Sequence, residues 1–125
     1  MIYLDTHVVV WLYAGLTTRV RPAARHLLNA SDLSISPMVF LELQYLYETG
    51  RTTERGATVV QDLSHRIGLR VYEEPFQHII APAIQQTWTR DPFDRIIVAQ
   101  AALHQATLVT KDRAMRKHYP HAFWS

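Results

Sequence analysis

Apolar residues along this chain fall into two patterns that alternate. Ile2-Tyr3-Leu4 is an apolar run too short for a helix and reads as a buried strand. Leu33-Ser34-Ile35-Ser36 alternates with a period of two, as a strand does. Leu69 to Tyr72 and Thr107 to Thr110 read the same way, and Ala122-Phe123-Trp124 predicts a last, short strand. Between these runs the pattern becomes helical. His7 to Tyr13 and Pro22 to Ala30 read as helices, the second with Pro22 in its first turn. Ser36-Pro37 supplies an N-cap and a first-turn proline for a helix to about Thr49, where Gly50 ends it. Glu54 to Arg66 predicts another, closed by Gly68. Phe76, Ile79, Ile80, Ala83 and Ile84 recur at helical spacing and define a single apolar face. Phe93 to His104 is apolar nearly all round and predicts a buried helix, and Asp112 to His118 predicts a short one.

Strands alternating with helices predict an α/β fold with a parallel central sheet and helices on both faces. No repeat, low-complexity tract or linker divides the chain, so residues 1–125 are expected to form one domain. In such sheets ligands bind beyond the carboxyl ends of the strands, so the residues just after each strand are the first to weigh.

Composition narrows the chemistry. At 125 residues and 48% hydrophobic content, the chain can bury a core without staples. It has no cysteine, which excludes disulfides, thiolate metal sites and thiol nucleophiles. Asp5 and His7 interrupt the first apolar stretch, so it does not read as a leader, and no run approaches a membrane span. A cytoplasmic protein without a membrane partner is expected. Net charge is only +2, which does not announce a nucleic-acid binder. The tail is more basic: Lys111, Arg113, Arg116 and Lys117 stand against Asp112 alone.

Four carboxylates stand out by position. Asp5 follows the first strand and Asp112 follows the Thr107–Thr110 strand. Either one could simply cap the helix after it. Glu42 lies one turn from Met38, Val39, Tyr45 and Leu46, where an unpaired charge is costly to bury. It reads either as a stripe-edge residue paired with an arginine or as a ligand aimed into a charged cleft, and the second reading is preferred. In "RDPFDRII", Asp91, Pro92 and Asp94 fit N-cap, N1 and N3 of the buried helix. Asp91 alone suffices as the cap, which leaves Asp94 free to face Asp5. Four such acids in one cleft would repel each other unless protons or cations neutralise them. An all-oxygen set without cysteine suits Mg²⁺ or Mn²⁺, and such ions serve phosphodiester hydrolysis.

These residues resemble a known family. "MIYLDTHVVVWLYAG" resembles the opening of PIN-domain ribonucleases of the VapC type, the toxins of type II toxin–antitoxin pairs. "ISPMVFLELQYLYETGR" resembles their second motif, and "DPFDRIIVAQAALHQATLVTKD" their third and fourth. The resemblance spans almost the whole chain. It implies a three-layer α/β/α sandwich, with Asp5, Glu42, Asp94 and Asp112 as the acidic quartet. Asp5 and Asp94 would be the most direct metal ligands. Glu42 and Asp112 would bind a second ion or hold waters of the first. The Thr6 and Thr110 hydroxyls would support the site. It further implies a Mg²⁺- or Mn²⁺-dependent endoribonuclease that cuts single-stranded or loop RNA, a cognate VapB-type antitoxin, and a homodimer.

Arg90, Arg95, Lys111 and Arg113 flank the acids and are candidates for RNA phosphate contacts, with salt bridges to the same acids as the alternative for Arg95. Trp11, Tyr13, Tyr45 and Tyr47 read first as core or dimer interface and second as base-stacking or antitoxin contacts. A helical wheel points His7 away from Asp5. Competing assignments fit less well. A phosphoacceptor receiver domain needs adjacent acids after the first strand, where Thr6 follows Asp5. A haloacid-dehalogenase-like phosphatase needs an aspartate at position 7, which is His7. A catalytically weak binding module and a nuclease acting on DNA stay open as alternatives.

Overall fold

The computed structural model describes all 125 residues. Five strands form one parallel sheet: β1 (Ile2–Leu4), β2 (Leu33–Ile35), β3 (Arg70–Val71), β4 (Leu108–Val109) and β5 (Ala122–Phe123), in the order β3-β2-β1-β4-β5. Ile2 pairs with Leu33, Tyr3 with Ser34 and Leu108, and Leu4 with Val109. Because every neighbour is parallel, the carboxyl ends of all five strands share one edge. β1 sits in the middle, buried at each position, as an apolar strand covered on both faces must be.

Seven helices flank the sheet to give the α/β/α sandwich: α1 (Thr6–Tyr13), α2 (Pro22–Asn29), α3 (Pro37–Glu48), α4 (Gly56–Ile67), α5 (Phe76–Ile84), α6 (Pro92–Leu103) and α7 (Arg113–His118). Their starts follow local chemistry. Ser36 Oγ accepts from the Met38 N–H at 3.0 Å, with Pro37 at the first position of α3. Gly68 ends α4 in the left-handed conformation, φ +71°, where its missing Cβ removes the steric penalty. At the start of α4, Gly56 lies against α3; an added Cβ would sit 3.0 Å from the Phe40 carbonyl and the Gln44 nitrogen.

The apolar helix α6 is buried from Ile96 through Ala101, as its all-round composition predicted. A 3-10 turn at Thr17–Arg19, which carries no periodic signal in the sequence, joins α1 to α2. α5 forms with the apolar face its spacing predicts, and that face is half covered: Ile79 and Ala83 are buried, while Phe76 and Ile84 are 61% and 60% exposed.

Candidate active site

Four places in the fold supply the carboxylates: the end of β1, α3, the start of α6 and the β4–α7 loop. Asp5 ends β1 and caps α1 from an extended backbone, φ −74° and ψ 159°. It is only 7% exposed, and both of its oxygens are held. Oδ1 accepts from the Thr6 N–H at 2.8 Å, and Oδ2 from the Thr110 hydroxyl at 2.7 Å. Thr110 follows β4, and its Oγ1 also accepts from the Asp112 N–H at 3.0 Å. One threonine therefore ties the first strand's aspartate to the loop that carries the last. The Thr6 hydroxyl, fully buried, donates to Glu42 Oε1 on α3. No arginine reaches Glu42, because the two ion pairs of the molecule are Arg66–Asp62 and His104–Glu74, both elsewhere.

At the start of α6, Asp91 Oδ1 accepts from the N–H of Phe93 at 2.8 Å and of Asp94 at 3.4 Å. The cap is thus Asp91, and the half-buried Asp94 side chain is not spent on it. Asp112 is exposed and caps α7, accepting from the Met115 N–H at 2.9 Å through Oδ1. Capping and a second role through Oδ2 are compatible for this residue.

Electrostatics register how near these groups lie. Burial pushes the Asp94 carboxyl up to about 7, with Asp91, Asp5, Asp112 and Glu42 all adding in the same direction. Burial also raises Glu42, against the Thr6 hydrogen bond and with help from Asp5 and Asp91. Asp5 is raised by burial and by Asp112, against the Thr110 and Thr6 hydrogen bonds and His7. A cluster of mutually repelling acids, none of them in an ion pair, is a place for a proton or a cation. No three of these groups close on one point as a ready-made cage. A hard ion that keeps several waters needs only one or two carboxylates at a time, so the donor set fits such an ion.

The PIN domain family model matches residues 2–119, which carry all four acids. The chain belongs to the PIN domain family. Among curated relatives it is similar to Ribonuclease VapC22 of Mycobacterium tuberculosis, 30% identical over 119 residues, 94% of this chain and 91% of that one. Among solved structures it is similar to VapBC2 from Rickettsia felis bound to a promoter DNA fragment, with a TM-score of 0.67, 21% identity and full coverage of both chains. It is also similar to DNA-bound VapBC from Salmonella typhimurium, with a TM-score of 0.63 and 22% identity over 97% of this chain and 95% of that one. These structural likenesses concern the fold, the three-layer sandwich described above.

The basic residues of this PIN domain sit differently from one another. Arg95 is half-buried, and its Nε donates to the Thr89 carbonyl at 2.9 Å. Arg90 donates to the Thr87 carbonyl at 2.9 Å. Both brace the loop ahead of α6, and the salt bridge from Arg95 to the acids is not formed. Lys111 and Arg113 are exposed on either side of Asp112. His7, two residues past Asp5, is exposed at the start of α1 and forms no ion pair with Asp5 or Glu42.

Proposed function

We propose that this PIN domain is a divalent-metal-dependent endoribonuclease and the toxin of a toxin–antitoxin pair. The observation that carries the reading is the uncompensated acid cluster at the sheet edge, where Asp94 titrates near neutrality. It stands in a chain 30% identical to a protein named as a ribonuclease of the VapC type. In this reading Asp5 and Asp94 hold the ion directly, and Glu42 and Asp112 hold a second ion or the waters of the first. Bound Mg²⁺ or Mn²⁺ supplies positive charge at the scissile phosphate and makes a bound water a stronger nucleophile.

The chain's own residues do the positioning. Thr110 and the Thr6 N–H each occupy one lone pair on an Asp5 oxygen and leave the others for a cation. The Thr6 hydroxyl fixes Glu42 in the same way. Asp94 gives up its proton when the cleft fills, because a nearby cation reverses the repulsion that raised it. Lys111 and Arg113, exposed beside Asp112, take the phosphates that flank the cut. Arg90 and Arg95 act mainly by holding the loop ahead of Asp94, with contact to RNA phosphate as a further role.

A VapB-type antitoxin is the expected protein partner, as in the VapBC complexes of similar fold. A basic side chain from it would satisfy the same acids that a cation satisfies. A second copy of the chain is expected on the α3–α5 face, where Leu41 and Phe76 are exposed.

The test is cleavage of total RNA by the purified chain with Mg²⁺, with Mn²⁺ and with chelator, beside Asp94→Ala and with single-stranded DNA as a parallel substrate. Discrete metal-dependent cuts in RNA that Asp94→Ala reduces by roughly a hundredfold or more are expected. Equal cleavage by the variant rejects the site, and preferential cutting of DNA rejects the substrate.

A further inference from the structure

Beside the acids stands a wall of rings that cation binding leaves unexplained. His7, the second residue of α1 and two residues past Asp5, is exposed and pairs with no carboxylate. Trp11, one helical turn on, presents its ring on the same face with centroids 6.2 Å apart. Behind it lies Trp124, just past β5 and 5% exposed, with ring centroids 5.9 Å apart. From the β4–α7 loop the Lys111 ammonium stands 5.8 Å from the centre of the Trp11 ring. A row of rings, tilted by 52° and 51° to one another, thus runs from buried Trp124 through half-buried Trp11 to exposed His7, with a cation at its side. Core packing accounts for Trp124 and for the inner edge of Trp11. It does not account for an imidazole held in solvent at the edge of a carboxylate cleft.

We propose that His7 and Trp11 form a base-binding platform. The base of a nucleotide next to the scissile phosphate stacks on the imidazole, which Trp11 backs, while Lys111 takes the adjoining phosphate. The inference rests on the ribonuclease reading and extends it to the shape of the substrate. Every base has a π-face, so a stacking platform is tolerant of sequence but requires a base that is free of its neighbours. What the platform adds is the place where such an unpaired base is held, on His7 beside Lys111. Lys111 lies against Trp11 rather than against an acid, which leaves its charge available to the backbone.

The experiment measures binding of a fluorescein-labelled single-stranded oligoribonucleotide by anisotropy in Mg²⁺. The full chain carrying Asp94→Ala serves as parent, so that the probe stays intact. Adding His7→Ala is expected to weaken binding by roughly five- to a hundredfold, the range for loss of one stacked base. Adding His7→Phe instead restores it, because an aromatic face is kept. Probes with one abasic site walked along the strand should contain a position that reproduces the loss in the parent and costs the His7→Ala protein nothing further. No binding by the parent, equal binding by His7→Ala, failure of His7→Phe to restore, or a loss indifferent to every abasic position each overturns the platform. Metal-dependent cleavage by the wild-type chain without any His7 effect sinks the platform alone. Base-dependent binding without such cleavage sinks the ribonuclease reading alone.

Discussion

Asp94 lives with a conflict that can be measured without any substrate. Its carboxyl rises from an ordinary 3.8 to about 7, first through burial and then through four neighbouring acids. Between those two pH values the folded chain holds a proton that the unfolded chain has lost. Protonation therefore favours the fold there, and this group's contribution falls as pH rises from about 4 to about 7, then levels. Asp5 and Glu42, both raised, add slope of the same sign. Thermal melts of the metal-free chain should thus move down as pH climbs through this window. Asp94→Asn should flatten part of that slope and add on the order of 1–2 kcal/mol above neutrality, a value discounted for the partial exposure of the group. Mg²⁺ or Mn²⁺ should raise the wild-type midpoint by mass action and leave Asp94→Asn almost unmoved. A wild-type melt that rises with pH would remove the argument.

At the scale of elements, the site depends on one joint between two strands. The Thr110 hydroxyl holds Asp5 beyond β1 and receives the N–H of Asp112 beyond β4, with Thr110 fully buried. Thr110→Val keeps the shape and deletes both bonds, so a buried carboxylate oxygen and an N–H lose their partner. Urea unfolding should show a loss of roughly 1–3 kcal/mol, while Thr110→Ser should recover most of it. Equal loss in both variants would place the cost in packing. This joint also marks the boundary of what sequence alone discloses. Strand and helix order followed from local signals, including β3 and β5, each only two residues long. The caps followed too, because Ser36 and Asp91 bond to N–H groups two and three residues away. Asp5 and Asp112 could be singled out as strand-end acids. The resemblance named Thr110 as a support of the site, but that its hydroxyl would bond Asp5, 105 residues away, is a product of strand order, which no local pattern carries. The Thr6–Glu42 bond is of the same kind: the resemblance marked Thr6 as a support of the site, and the fold supplies its partner.

At the scale of the whole molecule, two of the large apolar side chains that folding leaves exposed meet at one opening. Leu41 on α3 and Phe76 on α5, 55% and 61% exposed, share the rim of a cleft of about 360 Å³ that Met38, Ile79 and Ile96 also line. At its base Gln100, fully buried, spends its amide nitrogen on the Tyr72 carbonyl at 2.7 Å, and its Oε1 has no partner within the chain. Large apolar side chains gathered at one opening mark a surface that another protein covers, and a face that meets its own copy about a two-fold axis needs no other component. Sedimentation of the wild-type chain at tens of micromolar should therefore report a dimer. Leu41→Glu with Phe76→Glu should report a folded monomer whose melting temperature falls only by the concentration-dependent part that dimerisation adds, since both side chains already face water in the single chain. The pair of outcomes separates two causes of failure. A wild-type monomer would mean that this face waits for a different partner, whereas a dimer that survives both substitutions would move the interface to another face and leave the cleft over Gln100 open.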